Sequence, residues 1–221
     1  MERHFHEELR LVTHRLSAMG ALVESRVRDV VTALEDRQAE LAGRVATGDA
    51  DVNAIEVEVD DLCLKALALQ SPVGSDLRLV RSVMKATIDL ERVGDQAVNL
   101  AHAVIDLIGH PPLDAEPDVI ALGGVAVTML HDSLSAFAEQ DVVRALLVLE
   151  RDDQADFMRD ALFQKLLAQM RTDPDTVPQS QSLISISRGL ERIADHATNI
   201  AENLIFVVDG RDLRHKRGHV A

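Results

Sequence analysis

The sequence predicts an all-α protein that is a tandem repeat of two three-helix bundles. Of its 221 residues, 47% are apolar and only 2% are aromatic. A core of aliphatic side chains suits helices that pack side by side. The segment Leu90–Asn99 returns 100 positions later as Leu190–Asn199, with six of ten residues identical. Apolar residues recur at spacings of three and four along most of the chain, which is the helical period.

Three helices are predicted before residue 110. The first covers about residues 5–37. The second runs from residue 38, or from residue 49 if Gly48 interrupts it, to Gln70. Its end follows from Ser71-Pro72-Val73-Gly74, because proline and glycine both disfavour a continuing helix. A third helix follows, with Ser75 as its predicted N-cap, and ends at Gly109.

The same plan returns in the second half of the chain. Its three helices are predicted at about residues 118–139, 141–170 and 179–208. The unbroken offset between the two repeated segments favours duplication over coincidence. We therefore predict a first repeat at residues 1–110, a linker at 111–117, a second repeat at 118–210 and a basic tail at 211–221.

The charge of the chain narrows the class of partner. With 23 basic and 37 acidic side chains, the net charge is −14. Nucleic acid and anionic lipid are disfavoured, because phosphate contacts need positive charge. The single cysteine, Cys63, excludes an intramolecular disulfide and fits a reducing cytosol. We expect a cytoplasmic protein without a signal segment or a transmembrane helix, since charges interrupt the apolar stretches.

Each copy of the repeated segment carries acidic side chains on one helix face. Glu91 and Asp95 stand four residues apart, as do Glu191 and Asp195, and an asparagine follows each pair. Both glutamates interrupt a mostly apolar stripe. A carboxylate at a helix seam is destabilising unless it is paired or binds a cation.

The preceding helix of each repeat supplies a second acidic pair. Glu56 and Asp60 form this pair in the first repeat, and Asp152 and Asp156 form it in the second. Matching Asp60 to Asp156 gives an offset of 96 residues between the two pairs. If the two helices are antiparallel, four carboxylates converge in each repeat. Oxygen clusters suit Mg²⁺, Mn²⁺, Ca²⁺ or iron. We predict two metal sites, formed by Glu56, Asp60, Glu91 and Asp95 and by Asp152, Asp156, Glu191 and Asp195.

Other interpretations of these residues stay open. Acidic pairs are common on solvated helix faces, and Arg92 and Arg192 could bridge the carboxylates between helices or protomers. A carboxylate-bridged metalloprotein of ferritin-like type would usually carry Glu-x-x-His motifs, and no Glu here has His three residues later. A metal-independent helical adaptor is a further alternative. No catalytic arrangement is recognisable, so we predict that the chain is not an enzyme.

Five segments of the sequence are distinctive in combination: GDADVNAIEVEVDD (48–61), QSPVGSDLRLV (70–80), LERVGDQAVN (90–99), LERIADHATN (190–199) and GRDLRH (210–215). Together they resemble the PhoU family, regulators of bacterial phosphate uptake and phosphate signalling. The resemblance spans about residues 5–215.

The resemblance implies two PhoU domains, usually in a homodimer, with metal bound at the same acidic pairs. It implies a negative regulator of high-affinity phosphate uptake and of the phosphate-starvation response. Such a protein couples the ATPase of the phosphate ABC transporter to a sensor histidine kinase, and it reaches the membrane only through these partners. Neither the residues nor the resemblance distinguishes Fe, Zn, Mn, Mg and Ca, and no organic cofactor is implied.

Overall fold

The computed structural model describes residues 2–48 and 50–211, and this part of the chain is helical with no strand. The α-helices are, in chain order, α1 (Glu2–Glu35), α2 (Ala39–Ala46), α3 (Ala50–Gln70), α4 (Gly74–Ile108), α5 (Glu116–Glu139), α6 (Val142–Thr172) and α7 (Val177–Asp209). One 3₁₀ turn, Pro174–Thr176, precedes α7. The predicted all-α class is confirmed. Apart from Arg211, the predicted basic tail lies outside the described residues.

The second predicted helix is divided into α2 and α3 near Gly48. The hydroxyl of Thr47 donates hydrogen bonds to the carbonyls of Gly43 and Arg44, at 3.3 and 3.2 Å, and so competes with a further helical turn. The predicted N-cap at Ser75 is wrong. Helix α4 begins at Gly74, two residues earlier than that N-cap would place it, and its N-cap residue Val73 provides no side-chain hydrogen bond. The φ of +59° at Gly74 suits glycine.

The helices form two units that share one hydrophobic core. In the first unit α2 and α3 pack on α1 and α4, and in the second unit α6 packs on α5 and α7. The units meet through α1 against α5 and α4 against α7, so α4 and α7 lie at the centre of the molecule. The tandem three-helix plan is confirmed, with α2 and α3 together taking the place of one helix.

The contacts between the units indicate a pseudo-twofold axis. Helices α4 and α7 are antiparallel, because Arg78 near the start of α4 donates a 3.1 Å hydrogen bond to the carbonyl of Val207 near the end of α7. Further along α4, Leu100 contacts Gly189. The sequence of α7 repeats that of α4 with an offset of 100 residues. A rotation by half a turn about an axis between the repeated segments therefore places each helix on the other.

Three glycines bring the two units close together. A Cβ atom on Gly20 would lie 2.6 Å from Leu134, one on Gly123 would lie 3.0 Å from Val31, and one on Gly189 would lie 2.7 Å from Leu100. Real Cβ atoms do not approach other atoms at the shortest of these distances. Each glycine therefore permits a helix approach between units that a side chain would obstruct.

Arg37 anchors the segment that joins α4 to α5. Its Nη1 atom donates to both carboxylate oxygens of the buried Glu116, at 2.9 and 2.8 Å. Its Nη2 atom donates to the terminal α4 carbonyls of Leu107 and Ile108, at 3.4 and 3.3 Å, and also to that of His110. Arg37 thus satisfies carbonyl groups that have no partner within α4.

Among the described residues, helix α5 alone is long and apolar enough to cross a membrane, by length and composition only. Less than half of its most apolar window is buried, at 44%. The buried side includes Val119, Leu122, Met129 and Leu130 and packs on α1, α6 and α7. Core packing therefore accounts for much of its apolar content.

Candidate acidic site

The four predicted metal ligands of the second repeat are brought together between α6 and α7. The hydroxyl of Thr198 donates a 3.1 Å hydrogen bond to Asp152, and Arg159 lies 3.5 Å from Glu191, so the helices are antiparallel. This register places Asp152 and Asp156 on α6 opposite Asp195 and Glu191 on α7. These four carboxylates are named the acidic site.

The carboxylates of the acidic site act on one another. Burial raises the pKa of Asp195 from 3.8 to about 6, and the nearby charges of Glu191, Asp152 and Asp156 contribute to this increase, while His196 opposes it. Burial also raises the pKa of Glu191. Arg159 and Arg192 oppose this second shift, whereas Asp156 and Asp152 add to it. The site therefore concentrates negative charge that a cation would stabilise.

Arg159 supplies positive charge within the acidic site. Its guanidinium lies 3.2 Å from Asp156, 2.9 Å from Asp160 and 3.5 Å from Glu191. Burial lowers the pKa of Arg159. The hydrogen bond to Asp156 and the charges of the surrounding carboxylates raise it by more, so the net shift of the pKa is upward. An arginine network was one open interpretation of the sequence, with Arg92 and Arg192 as its members, and Arg159 was not among them. Its signal in the sequence is the spacing of three residues from Asp156 to Arg159.

The donor atoms of the acidic site are of the type that a hard cation binds, but their present arrangement is not that of a metal site. All four proposed ligands provide carboxylate oxygens, which Mg²⁺, Mn²⁺ and Ca²⁺ prefer. Within residues 2–48 and 50–211, however, no three His, Cys, Asp or Glu side chains stand ready to hold a metal ion. Metal binding here would require the carboxylates to draw closer and Arg159 to move aside.

The first repeat holds its predicted ligands in a different register. A Cβ atom on Gly94 would lie 3.5 Å from Val52, which sets Val52 level with Gly94 in the antiparallel pair of α3 and α4. Glu56 is then level with the turn that holds Glu91. At 1.5 Å per residue, Asp60 is displaced from Asp95 by roughly 13 Å along the helices. The structure thus brings Glu56 towards Glu91 and does not bring Asp60 to Asp95.

The buried positions also match at an offset of 103 residues rather than 96. Five buried residues of α2 and α3 correspond in this way to five buried residues of α6, namely Ala42, Val45, Val52, Val59 and Cys63 to Ala145, Val148, Ala155, Leu162 and Leu166. At this offset Asn53 corresponds to Asp156. The counterpart of Asp152 is Asp49, which lies outside the described residues.

The first repeat also contains an ion pair and a buried thiol near its predicted metal ligands. Arg92 lies 3.3 Å from its neighbour Glu91. Burial, followed by the charge of Asp60, raises the pKa of the Cys63 thiol to about 12, so the thiol stays protonated near neutral pH.

One polar contact joins the two repeats at their centre. Nδ1 of His196 on α7 lies 2.9 Å from Oδ1 of Asp89 on α4, and Asn199 donates a 3.1 Å hydrogen bond to the same oxygen. No feature of the sequence was interpreted as this contact. Its signal was the exchange of Gln96 for His196 between the two copies of the repeated segment.

The fold and the acidic site define a tandem three-helix-bundle protein with a cluster of carboxylates between its last two helices. The PhoU domain matches residues 16–104 and 119–204. The phosphate-specific transport system accessory protein PhoU of Serratia marcescens is 35% identical over 214 residues, which cover 97% of this chain and 88% of that protein. The PhoU homolog of Pseudomonas aeruginosa is 39% identical over 217 residues, covering 97% and 89%. The chain belongs to the PhoU family.

Solved structures agree with this assignment. The crystal structure of PhoU from Pseudomonas aeruginosa has a TM-score of 0.90 at 39% identity and covers 94% of this chain and 100% of that one. The phosphate transport system regulatory protein PhoU from Streptococcus pneumoniae has a TM-score of 0.88 at 29% identity, with coverage of 95% and 99%. The similarity therefore includes both repeats and their arrangement.

Proposed function

We propose that the chain is a regulatory accessory protein of a phosphate-specific transport system and acts by binding rather than by catalysis. The observation that carries the proposal is similarity over nearly the full length to proteins of that name, with 35% and 39% identity across 97% of the chain. Because both repeats and their packing are shared, the similarity extends over the whole molecule and not over one motif.

In its finer form, the proposal is that the chain restrains phosphate uptake and the phosphate-starvation response when phosphate is plentiful. Its partners are the cytoplasmic ATPase of the phosphate ABC transporter and a sensor histidine kinase, and it works in the cytoplasm as a homodimer. The net charge of −14 supports docking on basic protein surfaces and disfavours nucleic acid. Exposed apolar side chains on α6, including Val143 and Phe157, at 70% and 74% exposure, offer contact area for such partners.

We further propose that metal binding at the acidic site takes part in this regulation. A divalent cation or iron bound by Asp152, Asp156, Glu191 and Asp195 would stabilise charges that now repel one another. Arg159 would then be released from the site, so metal binding and the arrangement of the surrounding surface would be linked. Glu56, Asp60, Glu91 and Asp95 remain the corresponding prediction for the first repeat. A metal-independent adaptor differs in one respect, since chelation would leave its partner binding unchanged.

Affinity purification from cells grown in high and low phosphate tests the partners. We expect the transporter ATPase and the sensor kinase to co-purify with the full chain. The combined change of Asp152, Asp156, Glu191 and Asp195 to Asn should weaken this recovery, whereas Asp153→Asn, on an exposed position of the same helix, should not. Absence of both partners under both conditions would contradict the proposed function.

A further inference from the structure

A cleft of about 680 Å³ lies where α4, α6 and α7 meet. Its polar lining consists of Gln96, Asn99, Gln181, Ser185, Arg188 and Arg192. No acidic side chain lines it, although the chain has 37 acidic residues. The cleft is thus a locally positive region on a strongly acidic protein, and its volume falls within the range typical of small-molecule sites.

The two arginines of the cleft are available to an anion. Arg188 and Arg192 are four residues apart on α7 and share one helix face. Among the described residues neither forms an ion pair, although Arg192 lowers the pKa of the adjacent Glu191. The guanidinium of Arg188 lies 5.9 Å from the centre of the Phe163 ring, which holds it beside the apolar wall of the cleft.

The pseudo-twofold axis shows what the cleft lacks. On the opposite side of the α4–α7 crossing, the carboxylate of Asp89 accepts a hydrogen bond from Asn199 and contacts His196. The symmetric position to Asp89 is Gly189, and the symmetric partners are Gln96 and Asn99. A Cβ atom on Gly189 would lie 3.7 Å from Oε1 of Gln96, so the two positions do face each other.

The second side therefore has the polar partners of a carboxylate but no carboxylate. Within the described part of the chain, the side chains of Gln96 and Asn99 form no hydrogen bond with another residue. Both amides line the cleft, together with the two arginines. An amide nitrogen and two guanidinium groups are suitable donors for the oxygens of a carboxylate or a phosphate.

We propose that this cleft binds a small organic anion, whose oxyanion group takes the place that the Asp89 carboxylate holds on the symmetric side. Arg188, Arg192, Gln96 and Asn99 contact the oxyanion group. The remainder of the molecule packs on Phe163, Met170 and Ile184, which form the apolar wall. Binding at this cleft needs no transport partner, so it stands apart from the proposed regulatory function.

Isothermal titration calorimetry of the purified full chain tests the site with four probes: adenosine monophosphate, adenosine, inorganic phosphate and citrate. We expect adenosine monophosphate to bind at least about tenfold more tightly than adenosine, because only the former carries an oxyanion group. The phosphate and citrate titrations distinguish a phosphate-selective cleft from one that accepts carboxylates as well, and tight binding of either supports the proposal.

Three variants link the binding to the cleft. The double change Arg188→Ala with Arg192→Ala should weaken binding about tenfold or more, and Gln96→Glu should do the same by placing a negative charge in the cleft. The nearly isosteric Gln96→Glu change keeps the test valid if the double variant fails to fold. Arg171→Ala, at an exposed position on α6, makes the net charge more negative by one unit, as Gln96→Glu does, and should have no effect. Unchanged affinity in the cleft variants would overturn the proposal. So would the absence of binding by any anion at about 10 mM, which is about ten times a millimolar dissociation constant.

Discussion

Nη2 of Arg159 on α6 lies 3.5 Å from Oε1 of Glu191 on α7, at one end of the acidic site. The same guanidinium contacts Asp156 and Asp160, so a side chain of the protein supplies the positive charge that these carboxylates require. A metal ion and Arg159 would compete for the same oxygens. The proposed metal binding would therefore give the acidic site two alternative arrangements, one with the arginine and one with a cation.

Replacing Arg159 should favour cation binding. We expect Arg159→Ala to increase Mn²⁺ affinity about tenfold, because the carboxylates lose their internal counter-charge and the ion no longer displaces it. Titration calorimetry with Mn²⁺ measures the change. Arg171→Ala serves as the control for net charge, since Arg171 is exposed at the end of the same helix. Equal affinity in the Arg159 variant and the parent would show that the arginine does not compete with metal.

The raised pKa of Asp195 predicts a specific pH dependence of stability. Because the pKa is 3.8 in the reference state and about 6 in the folded chain, the folded chain binds more protons between these values. The free energy of unfolding should therefore fall as pH rises from about 4 to about 6. In chelator, Asp195→Asn should reduce this fall and stabilise the chain at pH 7 by about 1 kcal/mol, a modest value because the side chain is only partly buried and solvent screens its charge.

Urea unfolding at pH 4 and pH 7 measures this effect. Asp153→Asn is the matched control, because Asp153 is exposed on α6 and is not one of the four carboxylates of the acidic site. A variant of Asp195 that is less stable than the parent at pH 7 without metal would contradict the repulsion inferred within the site.

Neighbouring glycines on α5 should respond in opposite directions. Gly123→Ala would place a Cβ atom 3.0 Å from both γ-methyl groups of Val31 and should destabilise the chain by about 1–2 kcal/mol through overpacking. Gly124→Ala meets no atom within 4 Å and should stabilise α5 by about 0.5–1 kcal/mol, because alanine has the higher helix propensity. Thermal unfolding of the two variants compares them directly. Similar effects at both positions would contradict the close packing of α1 on α5.

The pair of Arg37 and Glu116 should contribute to the connection between the repeats. Arg37→Ala leaves the buried Glu116 carboxylate and the end of α4 without their main donor, and it should destabilise the chain by about 2–3 kcal/mol. A double-mutant cycle with Glu116→Ala isolates the interaction. Additive effects of the two changes would indicate that the observed contact does not contribute to stability.

The sequence predicted the helical class, the duplication and most helix ends, because these depend on local periodicity and on proline and glycine positions. It could not determine the register of α3 against α4. The offsets of 96 and 103 differ by seven residues, so both keep apolar residues on the same helix face. Only the packing of Val52 beside Gly94 distinguishes them, and it separates Asp60 from Asp95.

The contacts between repeats were equally inaccessible from the sequence. Asp89 and His196 are 107 residues apart, and their meeting depends on how α4 crosses α7. Arg159 was not recognised because a charged residue next to acidic ones is ordinary on a helix surface. Its position among the carboxylates follows from the packing of α6 on α7 and not from its spacing alone.

The rate of phosphate uptake in cells that lack this chain is the most direct test of the proposed function. Radiolabelled phosphate uptake is measured in phosphate-rich medium for the parent, the deletion strain and the deletion strain with the chain restored. The proposed restraint on the transporter predicts uptake several-fold above the parent in the deletion strain, and a return to the parental rate on restoration. Equal uptake in all three strains would contradict a regulatory role in phosphate transport.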